Sequence, residues 1–151
     1  MALDARTRLT ATVLGVAAGM LFAGTIARVW FSGPATNVGL AGVEVCTLLS
    51  CTVKTWLDVH APADITLLGL GGFLFGIKTF ALAIHAFVMV VKREPARIRR
   101  RWLLASAAIA VACSIGFLAR MLGEHMSLSY PGFFAIFGGA AVFVLVYRIR
   151  P

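Results

Sequence analysis

Charge is what this sequence has least of. Of 151 residues only 13% are Asp, Glu, Lys or Arg, and 6 are acidic. Soluble domains carry about a quarter charged residues, so the composition argues against a soluble enzyme. Motifs that carry chemistry are missing too. There is no P-loop, no Gly-x-Ser-x-Gly, no His-Glu-x-x-His, no Cys-x-x-Cys-His and no carboxylate pair inside an apolar run. Gly71-Gly72 sits within an apolar run and lacks the setting of a phosphate cradle. No enzymatic activity and no cofactor are expected.

Apolar sequence is abundant: 60% of residues are hydrophobic and the mean hydropathy is +0.93. The apolar residues fall in four runs, 9–27, 65–91, 102–119 and 128–147, the second interrupted only by Lys78. A bilayer core about 30 Å thick needs about 20 helical residues to cross it. Backbone groups in lipid must bond within their own segment, so the runs are read as helices. The expected fold is an all-α transmembrane four-helix bundle with a small extracytoplasmic β-hairpin or sheet. The first run is expected to be an anchor rather than a cleaved signal, because it is long and Arg28, Val29, Trp30 and Phe31 follow it.

Net charge is +8. The basic residues cluster beside the apolar runs, which favours membrane orientation over nucleic-acid binding. Arg6, Arg8, Lys92, Arg93, Arg97, Arg99, Arg100, Arg101, Arg148 and Arg150 fall on one side. The positive-inside rule therefore places both termini and the 92–101 link in the cytoplasm. That link is expected to contact lipid headgroups.

The other side then carries one substantial loop, 28–64. Its stretches 38–45 and 52–59 are β-branched and largely alternating, with Cys46-Thr-Leu-Leu-Ser-Cys51 between them. This pattern predicts a β-hairpin with a four-residue connection. Opposed hairpin positions lie within disulfide reach, so a Cys46–Cys51 bridge is expected in an oxidising compartment. The alternative is a thiol or metal pair, but no His or third Cys lies at ligand spacing. Cys113 reads as a small packing residue.

Several of these residues resemble the claudin and peripheral-myelin-protein superfamily. Its members have four spans, cytoplasmic termini and a large first extracellular loop with a hairpin and a disulfide. Matching features are Gly39-Leu40, then Cys46, then Cys51-Thr52-Val53-Lys54; the acidic, Pro-containing stretch His60–Asp64; Arg93–Ile98; and Tyr130-Pro131-Gly132-Phe133 with Gly138-Gly139. The family's Trp after Gly-Leu is replaced by Ala41, and the Cys spacing is shorter. The resemblance implies a non-enzymatic protein of lateral membrane assembly or cell adhesion. It implies Gly39, Leu40 and Trp56 packing the outer loop onto the bundle. Expected partners are the lipid bilayer and further copies or other membrane proteins, with no nucleic acid. An auxiliary subunit of a larger complex, or a small channel or transporter using Lys78, are the alternatives.

Lys78 is the unusual residue of the spans. A central charge costs about 2.5–3.5 kcal/mol on insertion scales. It is expected either to bond inward, near Ser106 or Ser114, or to line a polar path with His85, which shares its helical face. His85 has no second His at its depth, which disfavours haem. His60 and His125, with Asp58, Asp64 and Glu124, read as scattered outer polarity rather than a cation site. Gly15 with Gly19, and Gly72 with Gly76, form small-xxx-small pairs. These suit packing within the bundle or lateral self-assembly. Trp30, Trp102, Tyr130 and Tyr147 are placed in an interfacial aromatic belt.

Overall fold

The computed structural model describes residues 4–33, 35–48, 50–94, 98–122 and 127–148. Four long helices dominate: α1 (Ala5–Ile26), α2 (Ala63–Val91), α3 (Arg100–Met121) and α4 (Pro131–Arg148). Each is long and apolar enough to cross a membrane. Their starts follow local chemistry. The Asp4 carboxylate accepts a hydrogen bond from the Thr7 N–H at 2.6 Å, capping α1. Pro62 precedes α2 and Pro131 opens α4, where a missing N–H costs nothing.

The helices pack closely in neighbouring pairs, and the tightest crossing joins α1 to α4. A Cβ added at Gly24 would sit 2.2 Å from the Ala135 nitrogen, and one at Gly138 would sit 2.4 Å from the Leu21 nitrogen. Backbone meets backbone there, as small residues permit in lipid. On α2, a Cβ at Gly76 would meet Thr25 Oγ1 at 2.5 Å and one at Gly72 would meet Leu40 Cδ2 at 3.0 Å. The Gly15–Gly19 pair behaves differently. Gly15 has only ordinary contact with Phe87, and a Cβ at Gly19 would meet nothing within 4 Å. The row winds off the core because a helix turns 3.6 residues per revolution, so four-residue steps drift around it.

Leu14, Ala18, Ala83, Ala86, Leu103 and Val142 fill the inner core at the end of the bundle where α1 begins. Buried hydroxyls turn back onto their own helices: Thr25 donates to the Leu21 carbonyl and Thr79 to that of Phe75, each at 2.7 Å. Among the described residues no buried side-chain nitrogen or oxygen lacks a partner. The apolar side chains left exposed, such as Leu67, Leu74 and Phe137, point outward where lipid would meet them.

Five short strands close the opposite end: β1 (Phe31–Ser32), β2 (Thr36–Gly39), β3 (Gly42–Cys46), β4 (Cys51–Thr55) and β5 (Ser127–Leu128). They form one antiparallel sheet in the order β4-β3-β2-β1-β5. The expected hairpin is present as β3–β4, with Cys46 opposite Cys51, but its bounds and the rest of the sheet differ from expectation in three places. The 38–45 stretch is broken at Leu40-Ala41, a two-residue turn whose flanking Gly39 and Gly42 pair with each other. Only Gly fits there, since a Cβ at Gly42 would meet the Lys54 oxygen at 2.1 Å. The 52–59 stretch stops at Thr55. Thr55 donates its N–H and hydroxyl to the Asp58 carboxylate at 2.9 and 2.7 Å, turning the chain, and His60 takes a left-handed φ of 51°. Residues 128–130 do not start the last helix. Leu128 pairs with Phe31, adding a strand from the second outer link.

Candidate functional site

The sheet is fastened to the bundle by an aromatic cluster. Phe117 of α3 is fully buried, and the rings of Trp30, Phe31 and Trp56 approach it edge-on at 5.9, 6.4 and 5.7 Å between centroids. Such pairs add about 0.5–1.5 kcal/mol each beyond burial. Both indoles also bind backbone. Trp56 Nε1–H donates to the Leu40 carbonyl at 2.8 Å, and Trp30 Nε1–H donates to that of Gly24 at 2.7 Å. The second bond satisfies one of the last carbonyls of α1.

Leu40 is buried against Gly72 of α2, and Trp56 lies on Gly69. A Cβ at Gly39 would meet the Ala27 oxygen at 2.6 Å. The three outer-loop residues singled out in the sequence therefore lie in one layer between sheet and helices. Trp30 belongs to the same layer, not to the interfacial belt expected for it. Its own N–H donates to Val38 and its carbonyl accepts from Ser129, so it is held by both outer links. Trp102, Tyr130 and Tyr147 remain exposed. A signal for Trp30 lay in Gly132, whose missing Cβ leaves room for the indole.

The outer surface of the sheet is polar and pinned. Cys46 and Cys51 are joined in a disulfide, with Cα atoms 4.0 Å apart. Thr47 and Ser50 close the connection, the Thr47 N–H donating to the Ser50 carbonyl at 2.8 Å. Glu44 on β3 accepts from Asn37 Nδ2 at 3.1 Å and faces Arg28 Nη1 at 3.9 Å. Asp64 at the start of α2 pairs with Arg120 near the end of α3 at 2.9 Å. Asp58 is held below the ordinary aspartate range, first by the Thr55 hydroxyl and then by its N–H.

β4 forms one edge of the sheet, and all five of its residues are exposed. The short Cα distance at Cys46–Cys51 marks a non-hydrogen-bonded pair. Two residues on, Val53 opposite Glu44 has the same character, so its N–H and C=O face the open edge. Leu48, at the tip beside the disulfide, is fully exposed.

Lys78 and His85 are not in this layer. Both are exposed on the side of α2. The Lys78 ammonium does not bond inward, one of the two readings expected for it; it lies over the rings of Trp102 and Phe75, 5.2 and 5.7 Å from their centroids. Ser106 donates instead to the Leu103 carbonyl. His125 and Glu124, considered for an outer cation site, lie outside the described residues. Among the described residues no three metal-ligating side chains come together.

Four helices able to span a membrane, with a pinned sheet at one end, mark a multi-pass membrane protein. A scan against protein-family models finds no match. The chain is similar to the multidrug resistance protein MdtL of Klebsiella pneumoniae subsp. pneumoniae, 31% identical over 137 residues, covering 89% of this chain and 32% of that protein. The chain thus spans about a third of the length of the curated relative it matches.

Proposed function

We propose that this is a non-enzymatic, claudin-like four-span protein that assembles laterally through its outer sheet, with β4 as the contact edge. The termini and the basic link lie in the cytoplasm, and the sheet lies on the opposite face. The observation that carries this reading is the exposure of β4 along a sheet edge that the Trp30–Trp56–Phe117 cluster holds rigidly on the bundle. An edge strand offers unpaired backbone groups to another strand. In a two-fold antiparallel pairing centred on Val53, Lys54 meets Thr52 of the neighbouring copy, so the two lysines do not oppose each other.

Energy transfer between differently labelled copies in vesicles tests this. The wild type is expected to show transfer that Val53→Pro removes, because that proline deletes an outward N–H and no bond of the sheet itself. Equal transfer in both proteins contradicts the reading.

Transport is the second reading, favoured by the likeness to a multidrug resistance protein. Because Lys78 lies on the outer side of α2, a path past it runs between this bundle and neighbouring helices. Dye efflux from cells expressing the chain separates the two. Faster efflux that Lys78→Met abolishes supports transport, and unchanged efflux supports assembly.

A further inference from the structure

The side of the bundle where α2 meets α3 carries a cation with no counter-charge among the described residues. Lys78 stands at the middle of α2 and is exposed. Among the described residues no carboxylate pairs with it. Beyond Asp64 in the first turn of α2, the four helices contain no acidic residue at all. A second copy therefore cannot supply the missing charge at this depth.

The groups around the side chain point to what does. α2 and α3 run antiparallel, with Gly71 against Cys113 and Leu68 against Gly116. Seven residues further along, Lys78 comes level with Ser106, and after seven more His85 comes level with Arg99. The Lys78 ammonium lies between the ring of Phe75, one turn back on α2, and that of Trp102, about one turn nearer the start of α3. From there a long side chain can reach toward the headgroup layer. Arg99 and Arg101 are exposed at that end, and Trp102 is an exposed interfacial indole.

We infer that Lys78, Trp102, His85, Arg99 and Arg101 form a binding site for an anionic phospholipid, whose phosphate sits among the cations and whose acyl chain lies along the α2–α3 face. The exposed Leu74 and Ile109 give that chain an apolar bed. A partner helix bearing a single carboxylate fits less well, because Arg99 and Arg101 add exposed cations toward the start of α3. The site lies on the opposite part of the molecule from β4 and does not depend on assembly there.

Quenching of tryptophan fluorescence by lipids brominated on their acyl chains tests the site. Full-length protein is placed in phosphatidylcholine vesicles containing either brominated phosphatidylglycerol or brominated phosphatidylcholine at the same fraction. Trp102→Phe identifies the Trp102 signal against the buried Trp30 and Trp56. The phosphatidylglycerol is expected to quench Trp102 preferentially. Lys78→Gln should reduce that preference about fivefold, the effect of one basic residue near a charged surface, and Lys78→Arg should retain it. Inorganic phosphate in the buffer should leave it unchanged; displacement by phosphate would instead assign a site for the free anion. Equal quenching by the two lipids, or a preference that survives Lys78→Gln, overturns the inference. So does co-purification at fixed stoichiometry of a membrane protein whose spanning Asp or Glu crosslinks to Lys78.

Discussion

The indole N–H of Trp30 lies 2.7 Å from the carbonyl oxygen of Gly24, joining the first residues after α1 back to the end of that helix. Both groups are buried. The bond fixes the chain's exit from the membrane and sets β1 directly over Phe117. The outer sheet is therefore an extension of the bundle core, and its edge keeps a fixed position relative to the spans.

Substitutions at Trp30 should separate the hydrogen bond from the packing. Trp30→Phe leaves the Gly24 carbonyl buried and unpaired and should cost about 1–3 kcal/mol. Trp30→Ala adds a cavity beside Phe117 and should cost about 3–5 kcal/mol. Thermal unfolding in detergent, followed through the fluorescence of the remaining tryptophans, measures both. Equal losses in the two variants would show that the hydrogen bond contributes nothing.

Two glycines of the same chain should respond oppositely to alanine. Gly24→Ala pushes a methyl into the Ala135 backbone and should destabilise the α1–α4 crossing by about 1–3 kcal/mol. Gly19→Ala meets nothing and should gain about 0.5–1 kcal/mol from lower chain entropy. The order of unfolding temperatures, Gly19→Ala above wild type above Gly24→Ala, is the readout.

The helices were legible in the sequence because each needs only a long apolar run. The Cys46–Cys51 bridge was legible because opposed hairpin positions are close. Other features depend on tertiary packing that no single run displays. β1 and β5 have two residues each, too few for an alternating pattern. The Leu40-Ala41 turn hid inside a β-branched stretch, although the glycines on either side marked it. Gly15 and Gly19 have the spacing of a packing motif, yet the close crossing uses Gly24 and Gly138, which lie on different helices. Lys78 was expected to bond inward or to line a polar path because charge in lipid is costly; its ammonium lies against the rings of Phe75 and Trp102 instead.

Reduction of the disulfide should act locally. In the chain-entropy description, a bridge closing so short a loop contributes about 2 kcal/mol. Cys46→Ser should speed amide exchange in β3 and β4 and leave the four helices protected. Hydrogen-exchange mass spectrometry resolves the two regions. Uniform acceleration through the helices would mean that the bridge holds the whole bundle.

Acid should loosen the turn after β4. The Asp58 carboxyl is held below its ordinary range in the folded chain, so its stabilisation is present above the unfolded value and is lost as pH falls through the lower folded value. Exchange at residues 55–60 should therefore rise only in that acid range. In Asp58→Asn, exchange there should be faster than in wild type at neutral pH and should change little with acid.

Native mass spectrometry of protein released gently from its host membranes reads out assembly through the β4 edge. A ladder of copies of the chain is expected for the wild type, collapsing to single copies in Val53→Pro. A wild-type chain that is single, or bound at fixed stoichiometry to an unrelated protein, would contradict it.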